Sequence, residues 1–299
     1  MKVGFIGTGD MGFGMAVNMA KGQKNFTYQV FARRPEVLSQ LQAKGIATTN
    51  TLSEVGDSDY LFLCLPNAEV VTQILTTLLP GLKAGQTIID CSTINYFAAQ
   101  ELWQKLAEQG IDFLDCPVSG MHARAMNGTL TIMCGGKEES FKKIKPLLAY
   151  MGATILYMGQ CGAGQLTKAI NNCIYNICFA SFCELMPLGV KLGLDAENLG
   201  KVITSGTGSS YAAQNFIPKI LADDFYAGFS LRKAYKDMLS IADISNKNHI
   251  PLPTFNGTLE TYQLALQKVD GNLYKHAMIK VYEEILGVQC RAKKKEVEK

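Results

Sequence analysis

The sequence predicts an α/β fold in two parts, a doubly wound and mainly parallel sheet followed by an all-α C-terminal domain. Three observations carry this. Short apolar runs alternate with amphipathic stretches through the first half, the pattern of parallel βαβ units. Strand signals stop near residue 162, and from there helical segments follow one another. The glycine-rich "GQCGAGQ" at 159–165 marks a joint, so the domains are expected over 1–162 and 163–299.

The first strand is "KVGFI", and "GTGDMG" follows it directly, setting Gly7, Gly9 and Gly12 in G-x-G-x-x-G spacing. The first glycine allows the tight turn, the second lets a pyrophosphate approach the backbone, and the third packs helix on strand. Unpaired N–H groups at the start of the following helix favour the anion. This context makes the N-terminal part a Rossmann-type dinucleotide-binding domain, with Asp10 and Met11 in the binding turn.

"TYQVFA" is the second strand, and its end selects the cofactor. An NAD site needs an acid about 20 residues past the glycines. Ala32 stands there, followed by Arg33 and Arg34, whose guanidinium groups suit a 2′-phosphate; the plainer alternative is a solvated loop. NADP(H) is therefore favoured over NAD(H). The strands "YLFLCL", "QTIID", "IDFLD" and "TLTIMCG" complete the sheet, with helices over 35–44, 67–78 and 96–108. Leu65 ends the first of these four strands and Pro66 follows it.

Composition excludes other classes. Of 299 residues, 47% are hydrophobic and 18% charged, and Lys plus Arg exceed Asp plus Glu only by 29 − 26 = 3. That is a globular protein without the basic excess of a nucleic-acid binder. Nine cysteines without a CxxC pair read as buried free thiols and suit a reducing, cytoplasmic setting. His122, His249 and His276 have no ligand spacing, so no metal is expected. Asn176, Ser181, Glu184 and Pro187 interrupt the apolar stretch 173–190, which argues against a membrane span. A signal peptide is not expected, because "KVGFIG" already reads as a strand. The basic end "RAKKKEVEK" reads as a solvated, frayed tail.

"TKAINNCI" places Lys168 and Asn172 four residues apart, hence on one helix face, as the sequence turns apolar. Alone, this is a lysine snorkelling to water beside an ordinary asparagine. Four segments taken together resemble the β-hydroxyacid dehydrogenase family, which includes 3-hydroxyisobutyrate dehydrogenases and semialdehyde reductases. "GFIGTGDMGFGMAVN" is similar to its cofactor signature, including Gly14 and Asn18. "DCPVSGMHARAMNGTL" resembles its substrate signature, "GAGQLTKAINN" its catalytic one, and "KDMLSIA" its late Lys-Asp segment.

The resemblance implies a reversible NAD(P)-dependent interconversion of a β-hydroxyacid and its semialdehyde, or a glyoxylate-type variant. It makes Lys168 the catalytic residue, with Asn172 helping to hold substrate in an inter-domain cleft. It gives Ser119, Gly120 and the next backbone N–H, that of Met121, to the substrate carboxylate, and puts Thr93 and Lys236 near the nicotinamide. It also implies that Pro66 lines the crevice outside the strand end, where doubly wound sheets bind ligands. The chemistry agrees. A developing alkoxide needs a positioned proton donor, and a lysine in apolar surroundings can serve.

One departure stands in the substrate segment: Met121 occupies a usual glycine position, followed by His122 and Arg124. Met121 either narrows the pocket or packs as core. His122 reads as a partly exposed loop residue, and Arg124 as a solvated side chain or a partner for a second acidic group on the substrate. Two alternatives are an imine reductase-like enzyme, which usually lacks the lysine, and an inactive dinucleotide-binding scaffold. The apolar run 170–185 suggests a homodimer or homotetramer.

Overall fold

A computed structural model describes residues 1–226 and 229–293; the last six residues of the basic tail lie outside these. The described chain forms two compact units, one from Met1 to Lys168 and one from Ala169 onward.

The first unit is built on a nine-stranded sheet. Strands β1 (Lys2–Ile6), β2 (Thr27–Phe31), β3 (Ala47–Thr49), β4 (Tyr60–Leu63), β5 (Thr87–Asp90) and β6 (Asp112–Asp115) are all parallel. They lie in the order β3-β2-β1-β4-β5-β6. This is the doubly wound order of dinucleotide-binding folds. Beyond β6, β7 (Val118–Ser119) and β8 (Leu130–Gly135) run antiparallel, and β9 (Gly152–Gly159) pairs parallel to β8 at the far edge.

Alternation along the strands feeds two cores. Val3, Phe5, Phe62, Ile89 and Leu114 point to one face, packed by α1 (Gly12–Met19), α2 (Pro35–Gln42), α6 (Met121–Asn127) and α7 (Glu138–Leu148). Ile6, Leu61, Leu63, Ile88 and Phe113 point to the other, against α3 (Leu52–Gly56), α4 (Ala68–Leu78) and α5 (Tyr96–Ala107). Each such side chain contributes roughly 1.5–3 kcal/mol by leaving water. Helix starts follow local chemistry: Pro35 opens α2, while the Asn67 and Asn95 side chains cap α4 and α5.

The second unit is helical. It holds most of α8 (Ala163–Lys191), then α9 (Ala196–Ser205), α10 (Tyr211–Leu221), α11 (Leu231–Lys247), α12 (Pro253–Lys268) and α13 (Ile279–Leu286). Asp195, Ser210 and Ser230 cap α9, α10 and α11. By length and hydropathy α8 is the one described helix that could cross a membrane. Two of its polar residues, however, bond to side chains of later elements. Buried Asn176 accepts from Tyr262 Oη and Lys275 Nζ at 3.1 and 2.8 Å, and Glu184 accepts from Thr261 and Tyr282.

Candidate active site

The glycine turn has the geometry its spacing implies. Gly7 adopts φ +107°, and a Cβ there would collide with the Cys64 carbonyl. A Cβ on Gly12 would sit 1.9 Å from the Gly7 carbonyl oxygen, which is the helix–strand contact only glycine permits. Above Gly9 a Cβ would meet nothing within 4 Å. The start of α1 has neither a side-chain cap nor an acid in its first turn. Open space over Gly9 at an uncapped helix start fits a pyrophosphate, with the surrounding Asp10 exposed and Met11 half-buried.

Arg33 and Arg34 are exposed at the end of β2, after buried Ala32. Arg34 precedes α2 and donates from Nη2 to the Thr8 carbonyl at 3.1 Å, so its guanidinium stands on the glycine turn.

The segment that carries Ser119 and Gly120 is fastened to this turn. Asn18, on α1 and almost wholly buried, donates from Nδ2 to Gly14, Ala125 and Met126 carbonyls at 2.9, 2.8 and 3.0 Å. The latter two are end carbonyls of α6 that a helix cannot satisfy internally. Gly14 lets α6 approach, since a Cβ there would lie 2.8 Å from the Ala125 backbone. The His122 ring donates from Nδ1 to the Asp10 carbonyl at 2.7 Å. His122, read from the sequence as a partly exposed loop residue, is exposed but lies in α6, which it ties to the glycine turn.

Ser119 ends β7 and Gly120, at φ +146°, turns the chain into α6. Met121 takes φ +62°, a left-handed conformation that costs a side-chain-bearing residue about 1–2 kcal/mol. Met121 is 37% exposed and is not core. Arg124 lays its stem over Gly120: its Cβ and Cδ lie 2.8 and 2.9 Å from where a Gly120 Cβ would stand.

Around the start of α8, two residues absent from the sequence expectations organise the unit. Asp115, the buried last residue of β6, accepts from the Gly162 N–H through Oδ1 and the Gln165 N–H through Oδ2, both at 2.7 Å. Gly164 permits the approach, since a Cβ there would lie 2.4 Å from the Met133 carbonyl oxygen. Burial pushes the Asp115 carboxyl up to about 6 despite the two backbone N–H bonds that lower it. The Gln165 side chain donates to the Ser92 carbonyl at 2.8 Å and accepts from the Ile94 N–H at 3.1 Å. Those groups flank half-buried Thr93. Ser92 Oγ accepts in turn from the Leu65 N–H at 2.8 Å, while Pro66 beyond it is exposed.

Lys168, half-buried, closes the first unit one turn beyond Gln165. Asn172 and Lys236 belong to the second unit. Asn172 donates from Nδ2 to Asp237 Oδ2 at 3.2 Å, which joins α8 to the segment on α11 that carries exposed Lys236. An acid ending a buried strand, in "IDFLD", was the available signal for Asp115; nothing local marked Gln165 as its partner, or Asp237 as the partner of Asn172.

A doubly wound sheet with this glycine turn, followed by a helical unit, defines an NAD(P)-binding oxidoreductase of the two-domain dehydrogenase type. Residues 2–159 match the family described as the NAD binding domain of 6-phosphogluconate dehydrogenase, and residues 162–282 the NAD-binding segment of NADP-dependent 3-hydroxyisobutyrate dehydrogenase. The chain is 34% identical to 2-(hydroxymethyl)glutarate dehydrogenase of Eubacterium barkeri, over 96% of this chain and 97% of that one. It is 32% identical to the mitochondrial 3-hydroxyisobutyrate dehydrogenase of Drosophila melanogaster, over 91% and 86% of the two chains. The solved 3-hydroxyisobutyrate dehydrogenase of Mycobacterium tuberculosis superimposes with a TM-score of 0.84 at 29% identity, covering 94% and 98%. An imine reductase from Pseudomonas sp. shares the fold, at TM-score 0.60 and 18% identity over 93% and 98%. The chain belongs to the β-hydroxyacid dehydrogenase family and is an NAD(P)-dependent hydroxyacid dehydrogenase.

Proposed function

We propose that the protein interconverts a small β-hydroxyacid and its semialdehyde, or a glyoxylate-type equivalent, using NADP(H), with Lys168 as general acid and base. The observation that carries this is the joining of the Ser119–Met121 turn to the glycine turn through Asn18 and His122. A carboxylate held at the first is thereby kept at a fixed distance from a dinucleotide held at the second.

The nicotinamide of a dinucleotide held at the glycine turn would supply or accept the hydride. In oxidation the neutral Lys168 amine takes the hydroxyl proton as the carbinol C–H bond breaks. In reduction the ammonium returns that proton to the developing alkoxide. Ser119 and the Gly120 and Met121 N–H groups hold the substrate carboxylate, and Asn172, one turn past Lys168 on α8, orients the reacting oxygen. Thr93 and Lys236 serve the nicotinamide end. Within this class Arg124 favours substrates with a second carboxylate, because its stem covers Gly120 and it forms no ion pair among the described residues.

The exposed apolar residues Ile170, Ile174, Leu185 and Leu188 recur along one side of α8 and support a homo-oligomer. Nine free cysteines, most of them buried, support a reducing compartment such as the cytoplasm.

The test is Lys168→Ala with a substrate panel read by NADPH absorbance, including 2-(hydroxymethyl)glutarate, 3-hydroxyisobutyrate, L-threonate and glyoxylate. A fall in kcat of on the order of 10²-fold or more, with cofactor binding intact, is the expected result. Near-normal turnover would remove Lys168 from the mechanism.

A further inference from the structure

We infer that Gln165 is a positioning residue for hydride transfer, holding the Thr93 loop in register with the first turn of α8 and so with Lys168. This rests on the reading of Lys168 as acid and base. Gln165 is 2% exposed, and its backbone N–H and both ends of its carboxamide have hydrogen-bond partners. Its carboxamide grips the Ser92 carbonyl and the Ile94 N–H, the peptide groups on either side of Thr93. Its own N–H is held by Asp115 Oδ2, and the other Asp115 oxygen takes the Gly162 N–H. Through Ser92 Oγ the same loop reaches Leu65.

The result is one continuous run of hydrogen bonds from the end of β4, through the loop after β5, to the start of α8. Gln165, Lys168 and Asn172 fall at helical spacings of three and seven, hence on one side of α8. The amine is thus one turn from the residue that sets the loop. A carboxamide is the side chain this position requires, since one end must donate to a carbonyl while the other accepts from an N–H. Both partners are main-chain groups, so losing the carboxamide frees the Thr93 loop without removing any group that touches substrate or cofactor. Small misplacements between reacting groups carry large rate losses.

The experiment compares wild type, Gln165→Met, Gln165→Glu and Lys168→Ala. Gln165→Met keeps the length and apolar stem and removes both bonds; Gln165→Glu keeps the acceptor for Ile94 and loses the donor to Ser92. Each enzyme is saturated with NADPH, and single-turnover hydride transfer is followed per molecule of bound cofactor, alongside NADPH affinity and Tm. The expected result is a rate at least ~10-fold lower in Gln165→Met and intermediate in Gln165→Glu, with NADPH affinity within about twofold of wild type. A purely structural glutamine would lower Tm and leave the normalised rate native in both variants, and that outcome overturns the inference. If Lys168→Ala also retains the wild-type rate, the underlying mechanism has failed; if it alone is slow, only the role of Gln165 has.

Discussion

Asn172 and Asp237 are hydrogen-bonded, Nδ2 to Oδ2 at 3.2 Å, so the "TKAINN" and "KDMLS" segments meet within the helical unit. They lie 65 residues apart in sequence. The carboxylate fixes which way the carboxamide faces, because only its nitrogen can donate. Asp237→Ala is expected to free Asn172 and raise KM for the hydroxyacid by about tenfold, the value of one hydrogen bond to a charged group. NADPH affinity should stay within twofold. Steady-state kinetics with both substrates varied decides it, and an unchanged KM would show that the orientation of Asn172 does not matter to binding.

Met121 carries a side chain at φ +62°, in the turn that follows Ser119 and Gly120. Glycine there relieves the left-handed strain, so Met121→Gly is expected to stabilise the protein by about 1 kcal/mol. The same change removes the partly exposed thioether and opens the turn. Activity on substrates branched at the α-carbon should rise relative to activity on glyoxylate. Denaturant melts and the two kcat/KM values measure both effects. A loss of stability would mean that the side chain makes contacts worth more than the strain.

Asp90 and Asp115 are register partners on β5 and β6, and both carboxyls are buried. Asp90 Oδ1 accepts from the Ser92 N–H at 2.9 Å, while Oδ2 has no hydrogen-bond partner among the described residues. Burial pushes Asp90 up from 3.8 to about 6; Ser92 offsets part of the rise and the Asp115 charge adds to it. The folded state therefore binds this proton more tightly than the unfolded chain. Its stabilising contribution is full below about pH 4 and is lost as pH rises through about 6. Asp90→Asn removes the buried charge. It is expected to raise stability by about 1–3 kcal/mol at pH 8, and by little or nothing at pH 4. Urea melts at the two pH values test this, and an equal effect at both would exclude Asp90 as the titrating group.

The sequence exposed this fold unevenly, for physical reasons. β1, β2, β4, β5, β6 and β8 were legible because they are apolar runs next to amphipathic helices. β3 and β7 have three and two residues, too few for any periodicity to register. β9 lies at the sheet edge and leaves Leu156 and Met158 exposed, so its apolar residues do not mark a buried face. In the site, the glycine turn was readable as a local motif, whereas Lys168 stood out only through the resemblance of four segments taken together. The bonds of Asp115 to Gln165, of His122 to Asp10 and of Asn172 to Asp237 span 50, 112 and 65 residues. No spacing rule reaches that far, and only the folded chain brings those partners together.

We propose that cofactor choice turns on the two arginines after β2. Ala32, buried at the strand end, offers no carboxylate to the adenosine ribose. Arg34 has its guanidinium on the glycine turn through the Thr8 carbonyl, and Arg33 is exposed beside it. A charge-assisted pair with a 2′-phosphate contributes roughly 1.5–3 kcal/mol, about one to two decades in affinity. Wild type is therefore expected to bind NADPH 10- to 100-fold more tightly than NADH by that same margin of roughly 1.5–3 kcal/mol. Because Arg34 also braces the turn, its loss touches both cofactors, whereas Arg33→Ala changes only charge. Titrating both single variants and the double variant with both cofactors separates these effects. Arg33→Ala should weaken NADPH alone; Arg34→Ala should weaken NADPH strongly and NADH slightly. Salt should mimic the charge component, so raising ionic strength should narrow the wild-type preference. Equal affinity of the wild type for the two cofactors would show that neither arginine reads the 2′-phosphate.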